Sequence, residues 1–209
     1  MELTPRLIPV AVPDDPEGLV VVLHGGAKRG ETLMVSPAQL SVLRMIPIAR
    51  RIARAGRHRL AVFRLLNARR GWDTAHTPVD DTRWALQQLF GRFSRSLPCC
   101  LVGHSLGGRA ALLAAGEPEV HSAVALAPWV QPSDRPEGVR GKPILIIHGS
   151  WDRVADPAKA AELARRLQDR DGAQVDFRLI RGATHAMLAR HDSFSAPAAQ
   201  FAVATLRRR

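Results

Sequence analysis

Cys99-Cys100-Leu101-Val102-Gly103-His104-Ser105-Leu106-Gly107-Gly108-Arg109-Ala110-Ala111-Leu112-Leu113-Ala114-Ala115 is the stretch that decides the reading of this chain. An apolar run, Cys99 to Val102, enters the glycine-rich Gly103 to Gly108, and an alanine-rich run from Arg109 to Ala115 leaves it. That pattern predicts a strand, a sharp turn and a helix with Ser105 at the apex. A serine hydroxyl is a poor nucleophile, so a reactive one stands clear of the sheet, near a base and above backbone N–H groups that can hold an oxyanion. Gly103 and Gly107, two places before and after, remove side chains that would clash in so tight a turn. Alone, Gly-x-Ser-x-Gly is short enough to recur by chance; its strand-to-helix context gives it meaning.

Working outward, apolar runs alternate with amphipathic stretches. Leu7 to Val12 and Leu19 to His24 read as strands, the first broken by Pro9 and so placed at an edge. A helix is predicted over Ala38 to Ala55, kinked or restarted at Pro47, then a strand over Leu60 to Leu66 and a polar loop from Asn67 to Thr77. Pro78 opens a helix through Phe93, with Trp84, Leu86, Leu89 and Phe90 on one face. After the serine turn and its helix, Leu106 to Ala115, come strands Ser122 to Ala127 and Ile144 to His148. Helix Ala158 to Leu167, strand Gln174 to Ile180 and helix Ser193 to Leu206 complete the chain. Strands alternating with helices, without evident hairpins, call for a mainly parallel sheet covered on both faces, with its chemistry at the carboxyl ends of the strands.

The 209 residues, 46% hydrophobic, suit one domain spanning 1–209, with no Ser/Gly/Pro-rich linker and no internal repeat. No apolar stretch approaches the ~20 residues needed to cross a bilayer. Met1 to Pro13 has no continuous apolar core and does not resemble a secretory signal, so a cytoplasmic location is expected. Cys99 and Cys100 are neighbours on one strand with side chains on opposite faces, and are expected to be reduced and structural. A net charge of +11 raises nucleic acid or an anionic membrane as partners. The basic residues are nearly all arginine, spread over Arg44 to Arg59, Arg83 to Arg95 and Arg165 to Arg170 with no aromatic-interleaved stripe. No nucleic-acid partner is expected, and the arginine, alanine, glycine and proline usage matches a GC-rich genome.

Two further motifs fall just after strands: His148-Gly149-Ser150-Trp151-Asp152 and Arg181-Gly182-Ala183-Thr184-His185. They place an acid and then a histidine after the serine, the chain order Ser, Asp, His. His185 is the candidate general base for Ser105, and Asp152 the candidate partner that fixes the imidazole tautomer. Each has a plainer reading: Asp152 as a turn or cap residue, His185 as a packed loop histidine. Asp134 and Asp156 compete for the acid and His191 for the base, but only Asp152 and His185 lie in glycine-marked turns directly after a strand. Leu23-His24-Gly25-Gly26-Ala27 follows an early strand. Backbone N–H groups of Gly26 or Ala27, with that of Leu106, are the candidate oxyanion hole, and His24 the residue that orders this loop. A phosphate cradle is the rival, but Gly25 to Gly30 lacks the P-loop spacing and its Lys-Ser/Thr pair.

Together, His24-Gly25-Gly26, Gly103 to Gly108, His148-Gly149 with Asp152 and Val154, and His185 resemble the small bacterial α/β-hydrolases over nearly the whole chain. The resemblance implies an α/β-hydrolase fold of about 6–7 strands with helices on both faces and no cap domain. It implies a serine hydrolase that cleaves carboxylic esters through a Ser-His-Asp triad and an acyl-enzyme, with no metal or organic cofactor. Thioesterases and cofactor-free perhydrolases share this set of motifs, as do non-enzymatic binding proteins of the same fold. The dienelactone-hydrolase branch, which the small size also suggests, carries cysteine at the apex, and Ser105 departs from it.

Only Pro128 to Gly141 separates two strands where many relatives insert a lid, too short for a helical cap. An open site suits a small-molecule ester that needs no closure over it. Trp72 and Trp129 fall in rim loops as candidate substrate-binding residues, whereas Trp151, beside Asp152, reads as a plug between loops. Arg69, Arg70 and Arg109 are candidates for a rim preference for anions. Oligomeric state is open.

Overall fold

The computed structural model describes residues 4–26, 34–72, 77–93 and 96–206. Among them, one sheet holds β1 (Arg6–Ala11), β2 (Gly18–Leu23), β3 (Leu60–Leu66), β4 (Cys99–His104), β5 (Val120–Leu126), β6 (Pro143–Gly149) and β7 (Gln174–Ile180). The helices are α1 (Leu40–Leu43), α2 (Met45–Ala55), α3 (Pro78–Arg92), α4 (Leu106–Leu113), α5 (Pro157–Asp169) and α6 (His191–Leu206). Strand order is β1-β3-β2-β4-β5-β6-β7. Every pairing is parallel except β1 with β3.

The antiparallel exception is the strand with the internal proline. Pro9 has no N–H for a ladder and is tolerated at an edge, and the β1–β3 register shifts between Pro9 and Ala11. In β2 and β4 every residue is buried, as befits central parallel strands covered on both faces. Val20 and Val22 pack with α2 and α6, while Leu19, Val21 and Leu23 pack with α3 and α4 on the other side. Cys100 and Cys99 divide in the same way, both free. Burial raises both thiols, Cys100 to about 12, so neither is an available thiolate.

Local signals set the helix ends. Thr77 and Asp80 form a capping box with Pro78 in the first turn of α3. The long helix predicted from Ala38 is two helices, and the break falls at Arg44 rather than at Pro47. That places Pro47 in the first turn of α2, where no intrahelical N–H bond is required of it. The connection between β5 and β6 has turns and no helix, and among the described residues there is no cap domain.

The chain steps from β2 outward to β3, then returns past β2 to β4, so its direction of travel across the sheet reverses between β2 and β4. In an open α/β sheet the crevice at such a switch point, beyond the carboxyl ends of the strands, is where ligands bind. Gly25-Gly26 and Ser105 flank it.

Candidate active site

Ser105 links β4 to α4 with φ 56° and ψ −117°, a left-handed backbone that a non-glycine residue adopts only under strain. Its N–H donates to the Leu126 carbonyl of β5 at 3.0 Å, and its own carbonyl accepts from Arg109 and Trp129. The turn tolerates nothing larger at its flanks. A Cβ on Gly103 would lie 2.0 Å from the Gly107 carbonyl oxygen, and one on Gly107 would lie 2.5 Å from that of His24. The two glycines let β4, α4 and the end of β2 interlock, which holds the hydroxyl above the sheet.

His185 follows β7 and brings its Nε2 to 2.9 Å from Ser105 Oγ. Its Nδ1 lies 2.8 Å from Asp152 Oδ2. The other oxygen, Oδ1, accepts the Val154 and Ala155 N–H groups at 2.8 and 2.9 Å. Burial opposes the charge on Asp152, but the bonds from His185, Ala155 and Val154 outweigh it and hold the carboxyl below its ordinary pKa. A carboxylate that accepts at both oxygens leaves His185 with its proton on Nδ1 and a lone pair on Nε2, facing the hydroxyl.

Opposite the hydroxyl, the first bond inside α4 runs from Arg109 N–H to the Ser105 carbonyl, so the Leu106 N–H at the helix start has no intrahelical partner. Gly25 and Gly26 fold over the same point. A Cβ on Gly25 would meet Ser105 Cβ at 3.2 Å, and one on Gly26 would sit 2.1 Å from the Arg70 carbonyl oxygen. Ala27 lies outside the described residues. Among the described residues, no group of three or more His, Cys, Asp or Glu is placed to hold a metal ion.

The rival acids and base are engaged elsewhere. Asp134 takes both Arg109 Nε and a terminal nitrogen in a buried pair, Asp156 caps α5, and His191 bonds Ser195. Arg109 is therefore a satisfied interior cation rather than a rim charge, only 9% exposed. Its guanidinium stacks 3.8 Å from the Trp72 ring and 5.6 Å from that of Trp129, so both tryptophans flank an internal ion pair. Trp151 is no plug: it is 68% exposed.

Three further histidines brace the site, two of them in roles the sequence did not disclose. His24 donates from Nδ1 to the Gly25 carbonyl and accepts the Asn67 N–H on Nε2, ordering the loop. His104 donates Nε2–H to the His185 carbonyl at 2.9 Å and so ties the elbow to the histidine loop. His148 lies 3.7 Å from Asp152, fully buried, and burial lowers its pKa. A histidine beside the serine and one at a strand end were the available signals; the partner of His104 lies 81 positions away, whereas Asp152 is only four residues after His148.

These rings set a pH dependence of stability. Burial lowers His24 to about 4; burial and then the neighbouring His185 lower His104 to about 3, against 6.5 for the free side chain. Between the folded and unfolded values the unfolded chain binds more protons, so stability falls as pH drops below 6.5 and levels off on their account below about 3. Asp152, depressed in the folded state, adds a loss only below its ordinary 3.8. The melting temperature is expected to fall steadily from about pH 6.5 to about pH 4. A flat profile over that window would mean that the rings accept protons in place.

Fold and site together define an α/β-hydrolase without a lid. The sequence profile of the dienelactone hydrolase family matches residues 72–207, more than half of the chain, and the chain belongs to that family. Serine at position 105 does not take it out of the family. No curated protein matches the sequence. Similar solved structures include Est1E from Butyrivibrio proteoclasticus with ferulic acid bound, 14% identical, covering 98% of this chain and 96% of that one, TM-score 0.68. Esterase PE8 is 18% identical, covering 98% and 100%, TM-score 0.71. XC6422 from Xanthomonas campestris, a serine hydrolase without lid, is 17% identical, covering 94% and 86%, TM-score 0.67. At these identities the shared property is the fold. Among the described residues no helix is long and apolar enough to cross a membrane.

Proposed function

We propose that this hydrolase cleaves carboxylic esters of small molecules through Ser105, His185 and Asp152 as a catalytic triad. The observation that carries the reading is the unbroken line from Ser105 Oγ to His185 Nε2 at 2.9 Å and from His185 Nδ1 to Asp152 Oδ2 at 2.8 Å. His185 Nε2 takes the hydroxyl proton as Ser105 Oγ attacks the acyl carbon, and Asp152 stabilises the imidazolium. The oxyanion points at the Leu106 N–H and the Gly26 backbone, where one such donor typically contributes about 3 kcal/mol to transition-state binding. As the C–O bond breaks, Nε2 passes that proton to the departing alcohol oxygen, leaving an acyl-Ser105 ester. Water then attacks the acyl carbon and gives a proton to His185. The carboxylic acid leaves as Nε2 returns the proton to Ser105 Oγ.

The strain at Ser105 supports the same reading. A left-handed serine typically costs about 1–3 kcal/mol, and such strain persists where the surroundings hold it for use. The experiment is a rapid-mix reaction with p-nitrophenyl acetate. A burst of p-nitrophenol approaching one equivalent per chain, then a slower steady rate, is expected from an acyl-enzyme. Steady release without a burst, at a rate that Ser105→Ala leaves untouched, would overturn the reading.

A further inference from the structure

Beside the Ser105–His185–Asp152 line opens a cleft of about 760 Å³ whose wall includes Trp151, Val154, Thr184 and His185. Trp151 is 68% exposed and Val154 63%, two apolar side chains standing in water one step from the site. We propose that this cleft receives the alcohol half of the substrate, an apolar and preferably aromatic leaving group laid against Trp151 and Val154. The assignment rests on the acyl-enzyme reading above and adds to it the side of the site on which each half of the ester lies.

The direction of proton transfer supplies the first argument. His185 Nε2 has to reach the departing oxygen, so the alcohol lies toward His185, while the acyl oxygen lies toward Leu106 and Gly26. The cleft has His185 in its wall. The turn that carries Trp151 is also rigid. Trp151 N–H donates to the Ala183 carbonyl at 2.9 Å, Gly182 N–H donates to Ser150 Oγ at 2.9 Å, and a Cβ on Gly149 would strike the Ala183 carbonyl oxygen. The turn carrying Trp151 and Val154 is thus stitched to the loop carrying His185. Asp152, between them, pins that turn by accepting the N–H groups of Val154 and Ala155 while also bonding His185. The carboxylate that orients the imidazole therefore also fixes the apolar wall. An uncovered indole carried on a fixed backbone turn offers area and an aromatic face to a ring of similar shape.

The test compares 2-naphthyl acetate with methyl acetate, which share an acyl group and differ only in the alcohol. In Trp151→Ala the ratio of kcat/KM for the naphthyl ester to that for the methyl ester is expected to fall about tenfold, equivalent to about 1.4 kcal/mol. Trp151→Phe should restore most of it. Hydrolysis of the acetyl-enzyme, measured after the burst, should keep its rate in both variants because the alcohol has already left. A ratio that moves less than about twofold would overturn the proposal, as would a change in the acetate-to-butyrate preference of naphthyl esters instead. Fluorophosphonate labelling and turnover of the parent protein are read alongside. If the parent protein shows no label and no turnover, the proposed triad reading falls and the subsite with it; label and turnover with an unmoved ratio remove the subsite alone.

Discussion

Ser105→Ala is expected to lower kcat/KM toward short-chain esters by about ten-thousandfold or more and to abolish the burst. The substitution deletes the Oγ that lies 2.9 Å from His185 Nε2 and leaves the proposed oxyanion donors, the Leu106 N–H and the Gly26 backbone, in place. Residual catalysis of about a thousandfold over water from those donors and from binding is the usual remainder when a triad serine is lost. Stability separates chemistry from folding. Alanine keeps the φ of 56° and its strain, whereas glycine adopts that backbone freely. Ser105→Gly should therefore be as inactive as Ser105→Ala yet about 1–2 kcal/mol more stable by denaturant unfolding. An active Ser105→Ala would contradict the assignment at its centre.

Asp152→Asn is expected to lower kcat by about ten-thousandfold with little change in fold, through the tautomer of His185. Two backbone N–H groups point at Oδ1, so the amide oxygen of asparagine takes that side and its NH2 faces His185 Nδ1. Nδ1 must then accept, the ring proton moves to Nε2, and the nitrogen facing Ser105 no longer has a lone pair for the hydroxyl proton. Asp152→Ala, which frees the ring to choose its tautomer but leaves it unoriented, separates this effect from loss of charge. A variant Asp152→Asn with activity within about tenfold of the parent would show that His185 does not depend on this carboxylate.

The architecture was legible wherever the signal is local. Pro9 announced the edge strand, Pro78 the start of α3, and the apolar run into Gly103 the turn at Ser105. The glycines at 103 and 107 are dictated by backbone contact, which is why so short a motif carries so much information. The order of serine, acid and histidine after three strands singled out the three side chains that the structure brings into one line.

What escaped the sequence is packing between distant segments. Nothing local to Arg109 states that Trp72, Trp129 and Asp134 will enclose it, so an interior cation read as a rim charge. Trp151 read as filler because tryptophan is usually covered, whereas its turn, fixed through Ser150, Asp152 and Ala183, turns the ring outward. His104 reaches the carbonyl of a residue 81 positions away, a contact made only once the loop after β7 folds back over the end of β4. Ser105 also pointed away from a branch expected to use cysteine, yet the match over residues 72–207 places the chain in the dienelactone hydrolase family.

In the proposed mechanism one hydroxyl, primed by one imidazole, is the nucleophile. Its most direct test is to react the native protein with a fluorophosphonate and find the modified residue by peptide mass spectrometry. A single adduct per chain is expected, on Ser105, slowed strongly in Asp152→Asn and absent in Ser105→Ala. An adduct on any other serine, or ester turnover that persists with Ser105 unmodified, would contradict it.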